Sequence, residues 1–464
     1  MKVMKFGGSC LQSRDGLLRM IARVRPEPRP LVIVLSALKG VTDQLIALLE
    51  RAARGEEVEV EPLRERHHEV LRDVSPELAA PARSALDGLL DELERVLRGV
   101  AALREAPPTA RDRVLATGER LSIHLATAHL RHAGIPCQAL VAEEVGILTT
   151  SEPGDARILA RSAEAVAARL ADAEPLVYVV AGFVGRDLEG RITTIGRGGS
   201  DTTATFLASV LGGPAVLWKD TPGLLTADPR VVDAPRVIER LHFLDALELA
   251  HYGLPAIAAK AIHPARRAGV PIEIHAFEDE AHPSLIGDVP TSRLAITYVP
   301  EVVMVDLLGD GSNATASDLD PAGGELAEPR PGQFLTVLAR FLDGLAGAGV
   351  APLLMTEASP AGETTIIVRA EDRAAVEQIL AEHPAGREAQ LRNDLAAVSL
   401  IGSGMRGKIG FAASVFDALA THGVNVEAIA QTASERNISV IVAAAQARAA
   451  VRALHARFVE APEA

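Results

Sequence analysis

The sequence predicts an α/β protein: a mostly parallel sheet with helices on both faces, followed by two small α+β units of ferredoxin-like topology. Three observations predict this. Short β-branched apolar runs alternate with longer helical stretches up to about residue 293, the pattern of a parallel sheet covered on both sides. After about residue 294 the rhythm changes, and the order helix, strand, strand occurs twice. Hydrophobic residues make up 48% of the chain but aromatics only 3%, so the core must be built from Ala, Val, Leu and Ile.

In chain order, Val3 to Phe6 reads as a buried strand entering the turn Gly7-Gly8, and Leu31 to Ser36 as a second strand. From Thr42 to Leu103 the pattern is helical and charged, with breaks expected at Gly55, at Ser75-Pro76 and at Pro81. His67 and His68 lie in this stretch; adjacent residues diverge on a helix, so they do not read as a metal pair. A helix is expected over Arg111 to Leu130, strands over Cys137 to Val141 and Pro175 to Ala181, and a helix over Thr202 to Leu211. A strand over Ala215 to Lys219, a helix near Leu244 to His251 and a strand over Val270 to His275 complete this part. Gly309 to Pro331, rich in Gly, Pro, Asp and Glu, reads as a long loop. The first repeat then has a helix over Thr336 to Ala346 and the strands LLMT and TTIIVRA. The second has the strand AAVSLIG, a helix over Gly410 to His422, the segment VNVEAI and the strand NISVIVA.

Bulk properties narrow the function. With 464 residues the chain has room for two or three domains. A formal net charge of −14 argues against a nucleic-acid or membrane-surface partner, because both select basic surfaces. Two cysteines, Cys10 and Cys137, make neither a disulfide framework nor a four-thiolate metal site. No signal-type apolar segment opens the chain and no apolar run reaches the roughly 18 residues of a membrane span, so the cytoplasm is the expected compartment.

Two glycine segments carry chemistry. Lys5-Phe6-Gly7-Gly8-Ser9 follows a strand, and Gly196-Arg197-Gly198-Gly199-Ser200-Asp201 precedes a helix. Glycines admit a ligand close to the backbone, and a helix N-terminus attracts anions. Ser200-Asp201 also suits a plain helix N-cap, and neither segment fits the Walker pattern. A third glycine segment, Gly402 through Gly404 to Gly407, satisfies GxGxxG after a strand, with Glu427 at the spacing of a ribose-binding acid. Too little chain follows Glu427 to complete a dinucleotide fold, so this segment reads as a small-domain loop.

The segments KFGGS, VLSALKGVTDQL, ATGERLS, AGFVG, TTIGRGGSDTTA and KDTPGLLTADPRVV occur in one order along the chain. That order resembles the aspartate kinases of the amino-acid kinase superfamily, and the C-terminal unit containing NISV resembles their ACT regulatory domains. The resemblance implies an amino-acid kinase domain over residues 1–293 and ACT-like domains over 294–385 and 386–464. It implies ATP-dependent phosphorylation of the L-aspartate side chain to 4-phospho-L-aspartate, the first step of lysine, threonine and methionine biosynthesis, under amino-acid control. Two alternatives stay open: a kinase for a related carboxylate, and an amino-acid sensor with a silent kinase domain.

Phosphoryl transfer to a carboxylate needs positioning and charge neutralisation more than acid–base help, since the nucleophile is already an anion. Lys5 is the candidate for neutralising the transferring group, and by resemblance Asp201 organises the site. Gly7, Gly8, Ser9, Gly198 and Gly199 are expected around the phosphates, with Lys219, Asp220, Leu225 and Arg230 at the nucleotide. Glu119 suits the substrate ammonium and Arg197 a carboxylate fork. Ser36, Thr42, Phe183 and Ser200 match further aspartate-site positions of the family. Mg²⁺ is expected to ride on the phosphates and water, without a protein ligand cluster.

The chain departs from the family pattern in three places. Cys10 follows Ser9, where a buried filler is expected. Pro255 occupies the position, two residues after Gly253, of a phosphate-contacting lysine, leaving Lys260 or Lys219 to replace it. Ala351-Pro352-Leu353 lacks the acidic residue of lysine-inhibited relatives; Asn425 and Val426 better match an effector or dimer contact. ACT sheets bury their edges across chains, so a homodimer or higher homo-oligomer is expected.

Overall fold

Strand β1 (Val3–Phe6) lies at the centre of an eight-stranded sheet, hydrogen-bonded in parallel to β2 (Leu31–Leu35) on one side and to β7 (Ala215–Lys219) on the other. The computed structural model describes residues 1–171, 174–254, 256–279, 283–307, 333–358, 363–382 and 389–460. The sheet also takes in β3 (Cys137–Leu140), β4 (Val177–Ala181), β8 (Arg240–His242), β9 (Ile272–Ala276) and β10 (Ser284–Gly287). Its order is β3-β4-β2-β1-β7-β9-β10-β8, and every pairing is parallel except β9 with β10. All residues of β1, β2 and β4 are buried, as interior strands of a parallel sheet require. A separate hairpin joins β5 (Val184–Arg186) to β6 (Ile192–Thr194).

The charged stretch forms three helices, Val41–Ala53, Glu61–Val70 and Pro76–Leu103. The expected break at Pro81 does not occur. Pro81 sits near the start of the third helix, where only one intrahelical bond is lost, and the buried row Leu86, Leu90, Leu93 and Leu97 carries the helix onward. His67 is buried against the Leu63 carbonyl at 2.7 Å, while His68 faces Asp87 at 2.9 Å, so the two rings diverge. The helix expected from Thr202 begins earlier, at Gly199, with Gly198 as its cap.

By its contacts the chain divides into two units, one of Met1–Leu224, Val237–Leu247 and Pro255–Pro290, the other of Leu225–Arg236, Glu248–Leu254 and Thr291–Ala464. The second unit is built on a six-stranded antiparallel sheet. Its strands are β11 (Ala295–Leu307), β12 (Leu354–Ala358), β13 (Glu363–Arg369), β14 (Gln390–Ile401), β15 (Ala428–Ala430) and β16 (Asn437–Ala443). The order is β12-β13-β11-β14-β16-β15. The two repeats share this sheet and keep separate cores, one around Phe341, Ile366, Val368 and Val376, the other around Val398, Leu400, Val415, Val440 and Val451. Strand β11 joins them, pairing with β13 and β14. Neither β11 nor the short strands β8 and β10 was legible beforehand, and in VNVEAI only the last residues extend into β15. The expected loop at Gly309 to Pro331 and the expected cut between residues 385 and 386 lie outside the described residues.

Candidate active site

The carboxyl ends of β1, β2, β4 and β7 share one edge of the parallel sheet, where ligands of open α/β sheets bind. Past β1 comes Gly7-Gly8-Ser9, past β2 Ser36, past β4 Phe183, and β7 ends on Lys219. A cavity of about 580 Å³ opens at this edge, within the usual range for a small-molecule site. Lys5, Gly8, Ser9, Ser36, Thr42, Glu119, Phe183, Arg197, Gly198, Gly199, Ser200 and Asp201 all line it. Gly7 stands just behind, its hydrogen facing the Lys5 ammonium.

Lys5 is an interior residue of β1, yet its side chain is buried and charged. Its Nζ lies 2.8 Å from Asp201 Oδ1, and the Lys219 ammonium pairs with the other oxygen of the same carboxylate. Burial alone would raise the Asp201 pKa, but the charges of Lys5 and Lys219 hold it down at about 2. Burial, then the neighbouring Lys5 charge, lowers the Lys219 pKa. Two ammoniums against one carboxylate leave net positive charge beside the cavity. Asp201 occupies the first turn of the helix Gly199–Leu211, whose leading amides have no intrahelical partner and add a positive end. The turn into this helix depends on Gly198, at φ +74°, where a Cβ would stand 2.6 Å from that of Ala258.

Glu119 reaches the cavity from the buried helix Pro108–His132. Gly118 brings that helix close: a Cβ there would lie 2.7 Å from the Ala37 Cβ. Burial pushes the Glu119 carboxyl up to about 8, against the pull of the Ala37 amide and of Lys5. Its Oε2 is buried and has no hydrogen-bond partner. A buried orphan oxygen of this kind calls for a donor from a ligand. Across the cavity Arg197 is exposed. Phe183 adopts φ +67°, a strained conformation for a bulky residue, and its amide donates to Thr203 Oγ1 at 3.2 Å.

Of the two lysines weighed as replacements, Lys219 stands with Lys5 on Asp201, whereas Lys260 binds Asp155 Oδ1 at 2.7 Å and the Ile195 carbonyl at 2.6 Å. Lys260 thereby reaches Gly196 at the cavity rim. Pro255 itself lies outside the described residues. Asp220 is exposed at the end of β7. Leu225 and Arg230 belong to the second unit, where Arg230 pairs with Asp228 at 2.7 Å. Asn425 is exposed and donates to Glu427, and Val426 packs on the second core. Cys10 is buried, bonded to the Trp218 carbonyl, and its thiol is pushed up to about 11 by burial, so it is inert filler. At the GxGxxG segment β14 and β16 run antiparallel and Glu427 pairs with Arg392, which is no dinucleotide site. Among the described residues no group of three or more His, Cys, Asp or Glu could hold a metal ion, and no helix is long and apolar enough to cross a membrane.

Sequence reasoning missed several residues that also line the cavity, among them Lys39, Asp43, Arg111, Gly154 and Thr194, and it missed Asp112 behind the last three. Asp112 is 1% exposed and accepts from the Gly154 amide at 2.9 Å, the Thr194 amide at 3.0 Å and the Thr194 hydroxyl at 2.7 Å. Its available signal was its position on the same helix face as Glu119, seven residues earlier.

One chain thus carries a parallel α/β sheet, with a lysine–carboxylate–lysine cluster at a glycine-lined helix N-terminus, and an antiparallel α+β unit, the combination of a nucleotide-site α/β fold with a second small-sheet unit. Residues 1–275 match the amino acid kinase family and residues 398–458 the ACT domain. Aspartokinase 1, chloroplastic, of Arabidopsis thaliana is 30% identical over 476 residues, 99% of this chain and 80% of that protein. The aspartokinase of Thermus thermophilus is 30% identical over 476 residues, 98% of each chain. The crystal structure of E. coli aspartokinase III in complex with aspartate and ADP, in the R-state, superposes with a TM-score of 0.81 at 25% identity, covering 98% of this chain and 99% of that one. The chain belongs to the aspartokinase family.

Proposed function

We propose that this protein transfers the γ-phosphoryl group of ATP to the side-chain carboxylate of L-aspartate, forming 4-phospho-L-aspartate and ADP. One observation carries the reading: a single cavity is lined by Lys5 and Asp201, with Lys219 paired to the same Asp201 carboxylate, for a phosphate, and by the orphan Glu119 carboxylate for an ammonium. The E. coli relative holds aspartate and ADP together. In this scheme Glu119 takes the substrate ammonium and Arg197 its α-carboxylate. Ser36, Thr42 and Ser200 supply hydroxyls, and Phe183 forms a wall. The side-chain carboxylate attacks the γ-phosphorus while Lys5 neutralises the equatorial oxygens, oriented by Asp201. Gly7, Gly8, Ser9, Gly198, Gly199, Lys219 and Asp220 serve the nucleotide; Leu225 and Arg230 keep that assignment from their motif alone. Mg²⁺ would be held chiefly by the phosphates and water, since both Asp201 oxygens are engaged by lysines.

A coupled ADP assay with and without aspartate tests the reaction. Aspartate-dependent ADP production is expected, falling by about two orders of magnitude or more in Lys5→Ala. Wild-type protein without aspartate-dependent turnover at saturating Mg-ATP ends the proposal, and faster turnover with glutamate moves it to a related carboxylate.

The second unit is proposed to bind an amino-acid effector near Asn425 and Val426, and to pair with a second copy along its edges, where Met355 and Ile429 are exposed. An E. coli relative is known in complex with lysine and aspartate in a T-state; in this reading the chain acts at the entry to lysine, threonine and methionine synthesis. Thermal shifts with those three amino acids, singly and in pairs, identify the effector, since a ligand of the native state alone raises apparent stability.

A further inference from the structure

The helix Pro108–His132 carries two buried carboxylates into the same region, and only Glu119 faces the cavity. Asp112 lies two turns earlier, roughly 10 Å along the axis at 1.5 Å per residue. Both of its oxygens are used: Gly154 N donates to Oδ1 at 2.9 Å and Oδ2 at 3.2 Å, Thr194 N to Oδ2 at 3.0 Å, and Thr194 Oγ1 to Oδ1 at 2.7 Å. Gly154 and Thr194 line the cavity, and three residues past Thr194 the chain reaches Arg197. Lys260 fastens the same two segments to each other through Asp155 and the Ile195 carbonyl. Asp112 fastens both to the helix that bears Glu119.

The geometry points to Asp112 as a positioning residue that sets the separation between the Glu119 and Arg197 anchors, and thereby selects a four-carbon over a five-carbon amino dicarboxylate. This rests on the aspartate-kinase reading. An α-amino acid held by its ammonium at Glu119 and its carboxylate at Arg197 presents its side-chain carboxylate at a depth fixed by those two anchors. One extra methylene overshoots the phosphate. In a fitted pocket a methylene discriminates by roughly 10- to 200-fold, and a misplacement of about 1 Å costs about a hundredfold in rate. A wall released from the Glu119 helix loses both advantages for aspartate and one of its disadvantages for glutamate.

The experiment compares wild type, Asp112→Glu and Thr194→Val for kcat and KM with aspartate, with glutamate and with Mg-ATP. Asp112→Glu lengthens the tether by one methylene while keeping its charge. Thr194→Val removes one hydroxyl bond and leaves both backbone amides on Asp112, so it keeps the fold if Asp112→Glu does not. Expected are an aspartate kcat/KM lower by about tenfold, carried mainly by KM, and an aspartate-to-glutamate ratio narrowed by about fivefold. KM for Mg-ATP stays within about twofold. Equal losses for aspartate and glutamate in the folded variant, or an unchanged ratio, overturn the inference and leave the kinase reading standing. No aspartate-dependent turnover in wild type overturns both.

Discussion

Glu119 and Asp201 are both buried carboxylates on the same cavity, and their surroundings drive them in opposite directions. Burial raises Glu119 to about 8, and two lysines hold Asp201 at about 2. At neutral pH Glu119 is therefore largely protonated in the free protein, and pairing with an ammonium requires it to ionise. The KM for aspartate is expected to fall by up to about tenfold per pH unit as pH rises toward about 8, then to level off. Glu119→Gln, which cannot ionise, abolishes that slope; a slope of the same size in the variant assigns it elsewhere. The stability sign follows from the raised pKa. The folded state keeps a proton that the unfolded chain sheds above about 4.5, so this contribution is complete below that pH and lost as pH rises through about 8. For Asp201 the sign reverses: its contribution is present above the ordinary value of 3.8 and lost as pH falls toward 2. Asp201→Asn strands two buried ammoniums and is expected to cost about 3–5 kcal/mol in urea unfolding as well as turnover. Both thiols are buried with raised pKa values, so iodoacetamide at pH 8 is expected to leave Cys10 and Cys137 unlabelled until the chain unfolds.

Among the elements, the helix Gly199–Leu211 is the one on which the site turns. The residues Ser200-Asp201 looked like a cap, because Ser and Asp favour that position in sequence. In the structure the left-handed Gly198 takes the cap, and Asp201 moves into the first turn with its carboxylate given to lysines. Gly198→Ala meets a left-handed backbone, worth about 1–2 kcal/mol, and a collision with Ala258. A lowered melting temperature and a raised KM for ATP are expected together; a change in melting temperature alone separates the turn from the nucleotide. Interior strands and long helices were legible because their signal is local: β1, β2 and β7 are nearly continuous buried runs. β8 and β10, read as RLH and SLIG, set only one or two apolar residues among polar or glycine neighbours and so show no apolar run, and β11 mixes buried and exposed residues because it serves two repeats.

For the whole molecule, the contact division differs from a contiguous cut at residue 293. Leu225–Arg236 and Glu248–Leu254 are folded into the second unit. The buried His455 joins Thr226 Oγ1 at 3.0 Å, Arg452 donates to the Val231 carbonyl at 2.9 Å, and Ala227, Val231 and Val232 enter the core around Val451 and Leu454. At the other segment Arg369 donates to the His251 carbonyl at 2.6 Å. His455→Ala takes one of two partners from the buried Thr226 hydroxyl, which still accepts from the Arg236 amide at 2.9 Å, and is expected to cost about 1–3 kcal/mol and to speed hydrogen exchange at residues 226–236 while leaving β1 and β7 protected. Uniform acceleration throughout the chain would instead make His455 a global stability residue.

The glycine segments, the strand runs and the ordered motif series are properties of short stretches, so the fold class and twelve of the residues that line the cavity could be read without the structure. Dihedral preference, hydrophobic period and motif spacing all act within a few residues. Which lysine shares Asp201 with Lys5, how Asp112 ties Gly154 to Thr194, and which unit holds Leu225–Arg236 were decided only by tertiary structure. Each depends on strand order and crossover connections that bring distant segments side by side, and no local preference specifies that order.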